Sequence, residues 1–239
     1  MSRRSGTALS ARVRLRGAAT GTLAAAALLL AACADRPPTP DWQLNAKSGS
    51  ERALAAYFDG NARVEAQEYE GMRSAIARTG RRALLARAEL VRCAGRIASL
   101  VLEPCSAFDA LAADAGPAER AYAAFLAGRA TPQDAPLLPE AQRAVAAATT
   151  AEAGLAALER MTDPLSKLVG AAVLLQTAHT SPALTALAVD TASAQGWRRP
   201  LLAWLQLQLR QTEAAGDAAA TERIRRRIDM VAGVPEALR

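Results

Sequence analysis

The 239-residue chain has one histidine, His179, and two lysines, Lys47 and Lys167. The side chains that most often move protons or form Schiff bases are therefore nearly absent. A histidine-based triad would have a single candidate base. That histidine stands in "QTAHTSP", near a helix end, where a favourable helix dipole accounts for it. There is no Gly-x-Ser-x-Gly, and neither lysine completes a Ser-x-x-Lys pair. One histidine, three cysteines and scattered acids offer no metal-ligand spacing. No catalytic, metal-binding or cofactor-binding set is assigned, and no cofactor is implied. Aromatic residues make up only 4% of the chain, whereas Ala, Leu and Arg abound, a composition that favours helices over sheets. An apolar run long enough to span a bilayer is missing too. Residues 18–32 give 15 residues against the roughly 20 that a spanning helix needs.

That short run has a meaning of its own. Arg3, Arg4, Arg12, Arg14 and Arg16 precede it with no acid among them, and small residues follow it. Basic, then apolar, then small is the layout of a secretion signal. At its end, Leu30-Ala31-Ala32-Cys33 resembles the lipobox of bacterial lipoproteins. The resemblance implies that residues 1–32 are removed and that Cys33 becomes the lipid-carrying N-terminus, attached to a membrane by several acyl chains. In Gram-negative lipoproteins an Asp directly after the cysteine tends to hold the protein in the inner membrane. Here that place is Ala34, so the resemblance implies the outer membrane, facing the periplasm. Removal of five arginines and no acid takes a chain of net charge +6 to about +1. The electrostatic footprint of a nucleic-acid binder goes with them.

Cys93 and Cys105 are then left in an oxidising compartment, where a disulfide between them is the expectation and two buried thiols the alternative. An unbroken helix over the nine residues from Cys93 to Leu102 would carry the chain about 13 Å, too far for a bridge that needs Cα atoms within about 7 Å. The chain must reverse near Leu102 to Pro104.

Residues 33–44, with three prolines, read as a lipidated, semi-rigid tether. From about Asn45 the pattern is helix after helix, an all-α, antiparallel helical array in which 45–130 form an N-terminal half and 131–239 a repeat-like C-terminal half, divided by "TPQDAPLLPEAQ". Gly60-Asn61, Thr79-Gly80 and Gly116-Pro117 mark turns. Leu84, Ala88, Val91, Gly95, Ala98 and Leu102 line one helical face. In the C-terminal half Asp163-Pro164, Ser181-Pro182 and Arg199-Pro200 open segments 18 residues apart, and Asp217 falls on the next interval. Asp and Ser are good N-caps and Pro suits a first helical turn; Arg199 is a poor cap. Two helical hairpins of about 36 residues follow. This period resembles tetratricopeptide-like repeats, α-solenoid in architecture, with "WLQLQLRQTEAAGDAAATERI" similar to one unit. With its Asp41-Trp42-Gln43 start after the tether, the whole chain resembles a group of proteobacterial lipoproteins, a likeness that brings no activity with it.

Among the remaining clusters, Glu65 and Glu68 lie one turn apart beside Tyr69 and Glu70, with Arg73 in reach. Close carboxylates invite a cell-wall glycosidase reading; a solvated helix face is the plainer one. "RIRRR", Arg223 to Arg227, reads either as a contact with anionic lipid or wall, or as an outer helix face balanced by Glu222–Arg226 and Arg225–Asp229 pairs. Trp197 and Trp204 read as core, and Trp42 as packing for the tether or a face for a partner. The expected function is a lipid-anchored, non-catalytic scaffold or adaptor that binds another envelope protein through its helical surface. The alternatives are a cell-wall enzyme built on Glu65 and Glu68, and a structural lipoprotein.

Overall fold

The computed structural model describes residues 38–233. The expected signal segment, Cys33 and most of the expected tether lie outside the described residues. The tether ends at Pro40, because the first helix, α1, opens at Asp41 with that acid in its first turn, so Trp42 and Gln43 are helical. Among the described residues there are eleven α-helices, two short 3-10 turns and no strand, so the chain is all-α. No helix there is long and apolar enough to cross a membrane.

The N-terminal helices are α1 (Asp41–Asp59), α2 (Ala62–Ala77) and α3 (Arg82–Ala98), followed by the four-residue α4 (Ser106–Asp109) and by α5 (Pro117–Leu126). Gly60, Gly80 and the Gly116-Pro117 pair all fall where one helix gives way to the next. Then come α6 (Glu140–Ala146) and α7 (Ala151–Glu159). Next are α8 (Pro164–Gln176), α9 (Pro182–Ala194), α10 (Arg198–Ala214) and α11 (Ala218–Ala232). Three of the four 18-residue marks work as read. Asp163, Ser181 and Asp217 each accept a hydrogen bond from a backbone N–H three residues on, the standard way to satisfy a donor that the helix cannot. The third mark is displaced. α10 starts at Arg198, two residues before Pro200, and no side chain caps it. "LQLQL" is helical, as its neighbours require.

The expected division near residue 131 does not divide the fold. One buried core runs from Ala86 through Phe108, Phe125, Leu158 and Leu174 to Trp204 and Ile224. At its centre lies α8, on which residues 168–174 are all buried. A helix apolar all round must be covered all round, and α3, α5, α6, α7 and α9 cover this one.

α3 is buried on more than one side, so its inward residues are not the single stripe read from spacing. Ala86, Leu90, Cys93, Ala94 and Ile97 enter the main core, whereas Leu84 and Ala88 back a smaller cluster of Ala46, Met72, Ala75 and Ile76 in the α1–α2 hairpin. Val91 and Leu102 are exposed. Gly95 permits the approach of α1, since a Cβ there would stand 2.4 Å from a methyl of Leu54.

Helix ends carry the long-range polar contacts. An α-helix leaves its last four carbonyls without internal partners. At the end of α3, Ser99 Oγ serves Gly95, the Ser99 and Val101 N–H groups serve Arg96, and the Leu100 N–H serves Ile97. The fourth carbonyl, of Ala98, accepts the indole N–H of Trp204 at 3.0 Å, 106 residues away. Trp204 is fully buried. Replacing it with Phe should leave the helix content unchanged by circular dichroism, yet lower unfolding stability in urea by about 1–3 kcal/mol, the cost of orphaning a buried carbonyl.

Candidate functional site

The turn after α3 holds one of two non-glycine residues with positive φ among those described, the other being Ala178. α3 stops at Ala98, and Leu100 adopts a left-handed conformation at φ 57°. That region is costly for a residue with a Cβ, and it reverses the chain earlier than the Leu102–Pro104 stretch expected. The reversal brings Cys93 and Cys105 to disulfide distance, with Cα atoms 5.8 Å apart. The sequence argument required such a return, and the cysteine pair stands as read.

Two clefts flank this pinned turn and share Glu103, Pro104, Cys105 and Phe108. The larger, about 450 Å³, lies between the turn and α5, with Ala123, Ala124, Leu126 and Ala127 on its other side. This volume falls in the range of small-molecule and peptide pockets. Its charged residues are Glu103, Asp109, Arg120 and Arg129. Glu103 is held by Arg96 at 3.4 Å, and Arg120 donates to the Ala115 carbonyl. Leu102, 43% exposed, lines it from the turn. The smaller cleft, about 230 Å³, is lined by Glu89, Arg92, Arg96 and the two cysteines.

The glutamates singled out in the sequence lie elsewhere, and they are not a free pair. Glu65, buried on α2, accepts from Arg92 of α3 at 3.1 Å. Glu68 accepts from Arg52 of α1 at 2.9 Å. Between them Tyr69 donates its hydroxyl to Glu89, as does Arg73 through Nη1, and the Arg92 guanidinium lies 4.1 Å from the centre of the Tyr69 ring. Each carboxylate is bound to an arginine of a neighbouring or the same helix hairpin, so the cluster ties α1, α2 and α3 together. The space beside Glu65, Tyr69 and Arg92 amounts to about 20 Å³, room for about one water and not for a sugar.

Glu89 escaped notice in the sequence, although a signal was there. It sits one residue before Leu90 on a helix whose neighbouring positions are apolar, and a buried carboxylate demands partners. His179 lies at the α8–α9 turn, as read, with one ring nitrogen 3.1 Å from Thr177 Oγ1 and the other 3.1 Å from the Thr149 carbonyl. Trp204 is core, as read. Trp197 is half-buried against Phe58, with ring centroids 4.4 Å apart. Trp42 is half-buried in the first turn of α1.

In comparisons with known proteins no family model, no curated protein and no solved structure matches the chain.

Two measurements follow. Alkylation and intact mass under non-reducing conditions should find Cys93 and Cys105 blocked, and replacing both with Ala should cost about 2–4 kcal/mol of stability. The chain has three tyrosines, and all are shifted upward. Burial pushes Tyr122 up to about 12. Burial raises Tyr57 against the opposing pull of Ser99 and of the Arg199 and Arg96 charges, and raises Tyr69 with help from Glu89. Folded values above the unfolded one of about 10 favour the neutral phenol in the native state. This stabilisation is whole below that pH and is lost as pH rises through the folded values. An ultraviolet titration should therefore show less phenolate near pH 10 in the native protein than in the unfolded chain, and stability should fall above that pH.

Proposed function

We propose that this chain is a lipid-anchored adaptor of the bacterial cell envelope, attached through Cys33 to the periplasmic face of the outer membrane. It binds another envelope protein through its helical surface and performs no chemistry of its own. The observation that carries this reading is the cleft of about 450 Å³ between the cysteine-pinned turn and α5. A turn fixed by a covalent bridge loses little freedom when a partner settles against it, and preorganisation of this kind raises affinity. The cleft sets apolar side chains, Leu102, Phe108, Leu126 and the alanines of α5, beside the charged Glu103, Asp109, Arg120 and Arg129, and specific interfaces combine apolar contact with polar groups in this way. Helical arrays commonly present such surfaces to protein partners, though the step from architecture to role is one of analogy. The address rests on the lipobox-like Leu30-Ala31-Ala32-Cys33, with the secretion signal before it.

A photoreactive side chain at Leu102 tests the reading. In intact cells it should yield one defined envelope-protein adduct, recovered again when that partner carries the tag. Ala127→Trp, which fills the cleft, should reduce the adduct at least tenfold. A chain that stays free of adducts across growth conditions would overturn the proposal. Unchanged adduct formation in the filled variant would move the interface elsewhere on the surface.

A further inference from the structure

The basic run on α11 is only partly absorbed by internal pairing. Arg225 reaches across to Glu213 of α10 at 2.7 Å. Arg226 meets Glu222 at 3.4 Å, as expected, but both side chains are more than half exposed, and an exposed pair of this kind holds weakly. Among the described residues, Arg223 and Arg227 make no ion pair.

The helix geometry sorts these residues by face. Thr221 and Ile224 are buried, and Ile228 and Val231 are half-buried against the core. Their spacing of three and four makes one inward stripe. Arg223, Arg226 and Met230 follow the same spacing on the outward side, with Arg227 on the flank. Met230 is 69% exposed, more than any other large apolar side chain among those described as exposed. One more cation joins them from α10. Arg198 donates to the carbonyls of Val231 and Ala232 at 3.0 and 2.8 Å, so its charge stands at the same end of α11 as Met230.

Arg223, Arg226 and Arg227 thus share the outer side of α11 with an exposed methionine and Arg198 stands at its end, four arginines against the two carboxylates Glu222 and Asp229, both of which are engaged. A cationic rim around an apolar tip is complementary to an anionic bilayer surface, where phosphate headgroups take the guanidinium forks and the thioether enters the acyl boundary. We propose that this outer face of α11 is a contact surface for anionic phospholipid. It goes beyond the adaptor reading and depends on none of the residues lining the cleft.

The test uses the chain from Asp41 onward, which forms one compact unit and lacks Cys33 and the apolar run, so the outcome is independent of lipid attachment. Vesicles of phosphatidylethanolamine and phosphatidylglycerol are compared with vesicles of phosphatidylcholine alone, by co-sedimentation at low and physiological salt. Binding should be confined to the anionic vesicles and weaken as salt rises. Arg223→Glu with Arg227→Glu should reduce it by roughly tenfold or more, given the contribution of each cation near such a surface. Arg78→Glu with Arg160→Glu changes the net charge equally at exposed positions just past the ends of α2 and α7 and should leave binding within about twofold. Equal binding to both vesicle types, no binding to either, or equal losses from the two double variants would each overturn the proposal. Unchanged circular dichroism in the variants excludes unfolding as the cause of any loss.

Discussion

A bundle of short helices has many ends, and each end exposes carbonyls that must find donors. This fold meets that demand with side chains brought from distant parts of the sequence. Trp204 serves Ala98 at the end of α3 and Gln176 serves Leu126 at the end of α5. Arg199 serves Tyr57 near the end of α1, and Arg198 serves Val231 and Ala232 at the end of α11. For α3, α5 and α11 the account closes, because all four terminal carbonyls have a partner. Three of these four donor side chains are rigid or forked groups, one indole and two guanidiniums, whose geometry fixes where the partner helix can lie, and the fourth is the amide of Gln176. Apolar burial supplies the driving force and tolerates sliding. The capped ends remove that tolerance.

α3 shows how one helix can serve two purposes. Its Leu90, Cys93 and Ile97 belong to the main core, and its Arg92 and Glu89 lock the α1–α2 hairpin through Glu65, Tyr69 and Arg73. Cys93, in its C-terminal half, is one cysteine of the pair, and the end of α3 delivers the chain to the segment that walls both clefts. Both clefts are thus bounded by the cysteine-paired turn, and the larger one by Ala-rich α5 on its other side.

What could be read from the sequence was local. Asp163, Ser181 and Asp217 announce helix starts because a cap acts within three residues. The cysteine pair was legible because its short spacing left one reversal point between helix and proline. The rest failed wherever the decisive partner was far along the chain. Spacing alone placed α3 as one-faced, since nothing local says that a second layer will cover it. Glu65 and Glu68 looked like neighbours, yet their arginines lie 27 and 16 residues away and pull them apart in role. Arg199 looked like a poor cap for its own helix. Its hydrogen bond goes to Tyr57, 142 residues earlier.

The reach of that last bond bears on how the molecule comes to be folded. A chain is synthesised from its N-terminus, so α1 and α3 exist well before residues 199 and 204. Until then the Ala98 carbonyl has only water, and the end of α3 can fray. The N-terminal hairpin and the cysteine turn can form early from contacts close in sequence. Their final ordering waits for α10, and contacts of such long sequence separation are the slow ones to close. The C-terminal hairpin therefore acts as the latch that completes assembly, and a chain ending short of it would keep its helices and lose their fixed arrangement.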